Sequence, residues 1–125
     1  MRANRKISLL LCIFSLIFFC IGCGEGKFNG SMVGNENEFS LEYSVFNTTY
    51  EHNFNLEKGD VIRCSIVADK GSIDISIHKG EDVRAYQGND VTTGNFDVEV
   101  EEAGEYTITV TGNEASGSVS FEILE

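Results

Sequence analysis

Residues 39–125 predict an all-β domain, an antiparallel β-sandwich of about eight short strands. Three observations carry that expectation. Apolar and polar residues alternate with a period of two through run after run, as strands with one buried face require. Turn signals rich in Gly, Asn and Asp separate the runs at regular spacing. No stretch beyond residue 23 shows a helical period.

The elements follow in order. "FSLEYSVF" sets Phe39, Leu41, Tyr43 and Val45 on one face, with Ser40, Glu42 and Ser44 on the other. "YEHNFNLE" does the same with Tyr50, His52, Phe54 and Leu56. "DVIRCSIV" contributes Ile62, Cys64 and Ile66, and "SIDISIH" contributes Ile73, Ile75 and Ile77. A short "VRAY" piece precedes "NFDVEV", whose inward residues are Phe96, Val98 and Val100. "EYTITVT" turns Tyr106, Ile108 and Val110 inward, and "SVSFEIL" ends the domain with Val119, Phe121 and Ile123. Between them stand "NTT", "EKGD", "DKG", "KGED", "QGND", "EEAG" and "TGNEASG". About 85 residues suffice for one modest core without cross-links. The chain has no proline, so protection of the sheet edges falls to the outward Glu and Asp side chains.

The N-terminal part has a different character. Arg2, Arg5 and Lys6 precede an apolar run from Ile7 to Gly22 that only Ser8 and Ser15 interrupt. A basic start, an apolar stretch and a small boundary residue predict a secretory signal over residues 1–22. The alternative, an uncleaved transmembrane helix, normally needs about 20 apolar residues, and this run is shorter. Residues 24–38, "GEGKFNGSMVGNENE", are rich in Gly, Asn and Glu and read as a flexible tether with an r.m.s. span of about 20 Å.

Four cysteines would allow two disulfides in an exported protein. Cys12 and Cys20 lie inside the apolar run and leave with it. Cys64 shares a face with Ile62 and Ile66 and reads as a small buried hydrophobe. A Cys23–Cys64 bridge would require the N-terminus to fold back onto a core position. That leaves Cys23, at the end of "CIGC", which resembles the lipobox of bacterial lipoproteins. Gly22 stands at the small-residue position before the cut. Cys20 departs from the Leu usual three residues before the boundary cysteine. The resemblance implies cleavage between Gly22 and Cys23, and a diacylglycerol on the Cys23 sulfur with palmitate-type acyl chains. It further implies an extracytoplasmic domain anchored to the membrane at a bacterial cell surface. Residues 23–38 are then lipidated N-terminus and tether, with 39–125 as the domain. Two acyl chains hold stably where one would not.

Charge narrows the partners. The whole chain carries a formal charge of −11, and residues 1–22 hold three of its nine Lys and Arg but none of its twenty acids, so the remainder stands at −14. Such a surface repels nucleic acid and anionic lipid headgroups. The expected partners are the membrane, through Cys23, and a protein or envelope polymer.

From residue 54 to residue 124 the landmarks "FNLEKGDVI", "GSIDISI", "EEAGEYTITVTG" and "GSVSFEI" resemble jelly-roll modules of the bacterial pre-peptidase C-terminal and GOLD types. In those families a Leu-x-x-Gly-Asp segment leads into a strand and an Ala-Gly-x-Tyr turn opens the penultimate one. Here these fall on Leu56, Gly59 and Asp60, and on Ala103, Gly104 and Tyr106. The resemblance implies a jelly-roll-like fold and an accessory binding or interaction role without catalysis. Its residues are architectural and name no ligand.

Chemistry-bearing residues are sparse. His52 and His78 are the two histidines, the first on the face of the core aromatics and the second at a strand end. Neither a metal-ligand pair, a nucleophile elbow nor a phosphate loop is present in the domain. The chain is expected not to be an enzyme and to need no cofactor. Calcium is the one ion to consider: Asp60, Asp69, Asp74, Glu81, Asp82, Asp90 and Asp97 lie in or near turns, without a calcium-loop motif. In "RAYQGND", Tyr86 lies beside Gln87, Asn89 and Asp90, an aromatic platform with amides suited to sugar hydroxyls. Turn chemistry explains the same residues. The function expected is that of a non-catalytic binding or interaction module. The alternatives are an accessory subunit of an envelope complex and, behind these, a glycan- or calcium-binding module or a hydrolase with an unrecognised site.

Overall fold

The computed structural model describes residues 27–124. The signal segment, Gly22 and Cys23 lie outside the described residues. Among the described residues seven strands follow in chain order: β1 (Phe28–Gly34), β2 (Glu38–Phe46), β3 (Thr49–Leu56), β4 (Val61–Lys79), β5 (Val83–Gly88), β6 (Gly94–Glu99) and β7 (Gly104–Leu124). Every pairing is antiparallel.

The two long strands organise the fold. β4 and β7 pair along nearly their whole length, from Val61 opposite Leu124 to His78 opposite Thr107, with register shifts between Ala68 and Ser72. There the ribbon bends, and its two halves enter two layers. In the first, β1, β2, the C-terminal half of β7, the N-terminal half of β4 and β6 lie side by side. In the second, β3, the N-terminal half of β7, the C-terminal half of β4 and β5 do so. Expected pairs of short strands, "DVIRCSIV" with "SIDISIH" and "EYTITVT" with "SVSFEIL", are thus single bent strands.

Glycine makes the bend. Gly71 has φ +68° and Gly117 φ +138°, conformations that side-chain-bearing residues rarely adopt. A Cβ on Gly117 would also fall on the Val67 carbonyl oxygen, so the two strands touch there backbone to backbone.

The core lies between the layers. Phe39, Leu41, Phe46, Ile62, Cys64, Val119 and Phe121 from one layer face Phe54, Ile73, Ile75, Ile77, Tyr106, Ile108 and Val110 from the other, all buried. The alternation read from the sequence therefore assigns the inward residues, with one correction. Val45 is 36% exposed, and Phe46 takes the buried place instead because the register shifts between Tyr43 and Phe46. No charged or polar residue belongs to the buried set among the described residues.

The residues that carry the sequence resemblance sit in or beside turns. Asp60 Oδ2 accepts a hydrogen bond from the Glu57 amide at 2.7 Å, and the Gly59 amide donates to the Val100 carbonyl at 2.8 Å. The turn before β4 is thereby tied to the segment after β6. The Tyr106 hydroxyl donates to the Glu102 carbonyl at 2.8 Å, closing a tyrosine corner at the start of β7.

The tether expected over residues 24–38 is corrected over most of its length. Phe28–Gly34 pairs with β2 as a strand, and Asn35 closes the hairpin by accepting the Asn37 amide on its Oδ1 at 2.8 Å. The anchor of this strand is Phe28, whose ring stands edge-on to Phe46 at 5.6 Å and to Tyr50 at 5.1 Å.

Candidate functional site

The segment between β5 and β6 crosses from one layer to the other, and short hydrogen bonds fix its path. The Asp90 amide donates to Asp74 Oδ1 at 2.8 Å, and the Val91 amide donates to the Ile73 carbonyl at 2.8 Å. Two residues on, Thr93 Oγ1 accepts the Ala68 amide at 2.9 Å. Asp90 itself sits at φ +53°, a left-handed position that Asp and Asn tolerate better than most residues. Both layers thus hold the loop.

This loop and its flanking strands surround an open depression of about 390 Å³ that includes Tyr86, Asn89, Asp90, Thr92, Asn95 and Phe96 in its lining. The sequence singled out Tyr86, Asn89 and Asp90, and the structure brings all three to this one place. It adds Phe96, whose ring lies 4.8 Å from that of Tyr86 at an angle of 32°. Asn89 Oδ1 accepts from Gln87 Nε2 at 3.3 Å, orienting the amide. Two aromatic rings bordered by two amides, hydroxyls and one carboxylate can stack on a sugar or similar ring and hydrogen-bond its hydroxyls. A nucleophile paired with a base is not found among those lining residues.

The other candidates are placed elsewhere. His52 is stacked on Phe39 at 4.8 Å, stands edge-on to Phe54 at 4.8 Å, and donates from Nε2 to the Asn35 carbonyl at 2.8 Å. It is a packing residue that ties β3 to the β1–β2 turn. His78 lies at the end of β4, opposite Thr107 on one side and Arg84 on the other. Three of the acids near turns are each engaged singly: Asp60 caps its own turn, Asp74 holds the Asp90 amide, and Asp97 pairs with Arg63 at 3.1 Å. The Arg63 side chain holds the Asp97 carboxyl below its usual value, chiefly through their hydrogen bond. Among the described residues, no three His, Cys, Asp or Glu side chains converge as metal ligands would.

Two buried groups stand out by their protonation. Burial pushes the Cys64 thiol up to about 12, with Asp97 adding to the effect, so it is an inert core residue at neutral pH. Burial likewise pushes the Tyr43 phenol up to about 12, assisted by Asp69. The Tyr43 hydroxyl is buried with no hydrogen-bond partner among the described residues.

No protein-family model matches the chain, and no curated protein sequence matches it. Solved structures of similar shape include PliG of Aeromonas hydrophila, a periplasmic inhibitor of g-type lysozyme. It is 13% identical over 78% of this chain and 88% of its own, with a TM-score of 0.48. The pre-peptidase C-terminal domain of a Bacillus anthracis collagenase is 15% identical over 74% of this chain and 91% of its own, also with a TM-score of 0.48. Likeness this distant carries no inference about ligand or partner.

Proposed function

We propose that this chain is a bacterial lipoprotein, anchored through Cys23 and displaying a non-catalytic binding module outside the cytoplasm. The observation that carries the binding reading is the depression between β5 and β6. Its loop is pinned to both layers by three hydrogen bonds, and it presents Tyr86, Phe96, Asn89 and Asp90 together. Rigid aromatic and amide groups in a fixed concavity are the equipment of a recognition site. The ligand class that suits it is a neutral polyhydroxylated one, such as an envelope glycan, because aromatic rings and amides match sugar faces and hydroxyls while the acidic surface repels an anionic ligand. The anchoring reading is supported by the basic start, apolar run and Gly22–Cys23 boundary.

Two measurements test the two halves separately. Titration of the full-length protein in detergent with a panel of neutral glycans, followed by NMR, is expected to give a saturable shift at the loop that Tyr86→Ala abolishes. No saturable shift, or shifts unaffected by Tyr86→Ala, overturns the binding reading. Intact-mass analysis of membrane-extracted protein is expected to show a chain beginning at a diacylglyceryl-modified Cys23, and an unmodified thiol overturns the anchor.

A further inference from the structure

We propose that the domain pairs with a second copy of itself through the free edge of β1, the two strands running antiparallel about a two-fold axis with Met32 opposite its copy. The observation is what that edge lacks. Edge strands leave a row of N–H and C=O groups unpaired, and proteins ordinarily blunt them with charge or proline. The other marginal strands follow this rule: β3 carries Glu51, β5 carries Arg84, and β6 carries Asp97 and Glu99. β1, "FNGSMVG", has neither a charge nor a proline. Among the described residues it pairs with β2 alone, and every residue in it after Phe28 is exposed. Met32 and Val33, at 47% and 49%, are the most exposed large hydrophobic residues among those described. The register along Gly30–Gly34 is regular, so this part of the edge is a usable template.

Charge selects a copy of the same chain as the occupant. At −14 without its signal segment, the protein repels itself over most of its surface. At β1 an uncharged strand meets an uncharged strand. The nearest acid is Glu36, in the turn after β1, and the same register brings it beside Lys27 of the other copy, while Glu38 and Glu42 of β2 stand three strand spacings, about 14 Å, from their counterparts. That exceeds the screening length of about 8 Å at physiological salt. A basic partner, by contrast, would find no carboxylate on β1 to pair with. The two-fold register also sets Val33 opposite Ser31 and Gly34 opposite Gly30, so Met32, unbranched and adaptable, is the one large side chain that meets its own kind. Each copy offers one such edge, so association closes at two. An interface this short falls at the weak end, below about 1,200 Å².

Sedimentation velocity of the full-length protein, from about 10 to 300 µM with detergent micelles in large excess, tests this against the affinity range expected of a weak interface. The expected result is a concentration-dependent shift from monomer to dimer. Met32→Lys and Val33→Lys, which change exposed side chains, are expected to remain monomeric at the highest concentration with unchanged circular dichroism. Glu51→Lys, on another marginal strand, is expected to dimerise like the parent. A parent that stays monomeric throughout, as it would if β1 serves a strand from another protein, overturns the proposal. So do lysine variants that dimerise as well as the parent, or species larger than a dimer.

Discussion

Replacing Phe28 by Ala asks whether the segment before residue 39 belongs to the core. Truncating a fully buried Phe costs about 3–5 kcal/mol. Phe28 is half-buried, but its ring meets Phe46 at 5.6 Å, Tyr50 at 5.1 Å and Tyr43 at 6.3 Å. Scaling for burial while retaining the ring contacts gives a loss of about 2 kcal/mol. In a domain whose whole stability is about 5–15 kcal/mol that is a large share, and it lowers Tm by roughly 8–16 °C at this size. Urea unfolding of parent and variant, followed by circular dichroism, reads it as a lower midpoint at unchanged slope. Ser31→Ala, an exposed position on the same strand, is the control and should stay within about 0.5 kcal/mol. A double-mutant cycle of Phe28→Ala with Tyr50→Ala should give a coupling of about 0.5–1.5 kcal/mol. A loss for Phe28→Ala below about 0.5 kcal/mol, with no coupling to Tyr50, would show that the segment is a tether after all.

Two further predictions concern the bend and the buried hydroxyl. Gly117→Ala forces a Cβ into a left-handed backbone and onto the Val67 carbonyl, so it should cost about 2–4 kcal/mol, read as a lower urea midpoint; a neutral result would refute the backbone contact at the bend. Tyr43→Phe removes a buried hydroxyl that has no partner among the described residues, so it should leave the domain as stable or raise stability by about 1 kcal/mol at neutral pH. The same group, with Cys64, sets an alkaline limit. Their values in the fold, about 12, lie above the ordinary 10.0 and 9.0, so the unfolded chain loses these protons first. Their contribution is therefore whole below pH 9 and declines from there toward pH 12, and Tyr43→Phe and Cys64→Ala should each flatten that decline. An unaltered pH profile in both variants would refute it.

The sequence makes the sandwich legible because each inward face is written in local alternation. Ile73, Ile75 and Ile77, or Tyr106, Ile108 and Val110, need no distant partner to be read as one face. What it hides is which turn signals reverse the chain and which only bend it. "DKG" and "TGNEASG" look like hairpin turns, yet β4 and β7 remain paired through them, because each bend sits opposite the other and the ladder tolerates the register shift. β1 is hidden for the opposite reason. Asn29, Gly30, Ser31 and Gly34 have poor strand propensity, so the strand exists through β2 and the ring of Phe28 rather than through its own composition. The candidate site divides in the same way. Tyr86, Asn89 and Asp90 are close in sequence and advertise themselves as an aromatic beside a turn. Phe96 completes the floor from the next strand, as a non-local contact that its place in "NFDVEV" marks only as core.

The existence of β1 also changes what an anchor at Cys23 would imply. A fifteen-residue tether would hold the domain well clear of the headgroups, but four residue steps from Cys23 to Lys27 reach at most about 14 Å. Phe28 lies level with Phe46 and, through it, with Ala115 beside the bend of β7. The loop from Asn89 to Thr93 bonds to Ala68, Ile73 and Asp74, which flank the bend of β4. Chain entry and depression therefore occupy the same end of the sandwich, with β2 and β7 between β1 and β4. On the proposed anchoring, the depression opens close to the bilayer and away from the outer polymer layers. Asp69, Asp90 and Glu114 outnumber Lys27 and Lys70 at that end, and together with the net −14 of the chain without its signal segment they resist approach to an anionic surface. The ligand such an arrangement favours is thus a neutral glycan presented near the membrane, and a neutral-glycan panel is the discriminating one because an anionic ligand would have to overcome the same field.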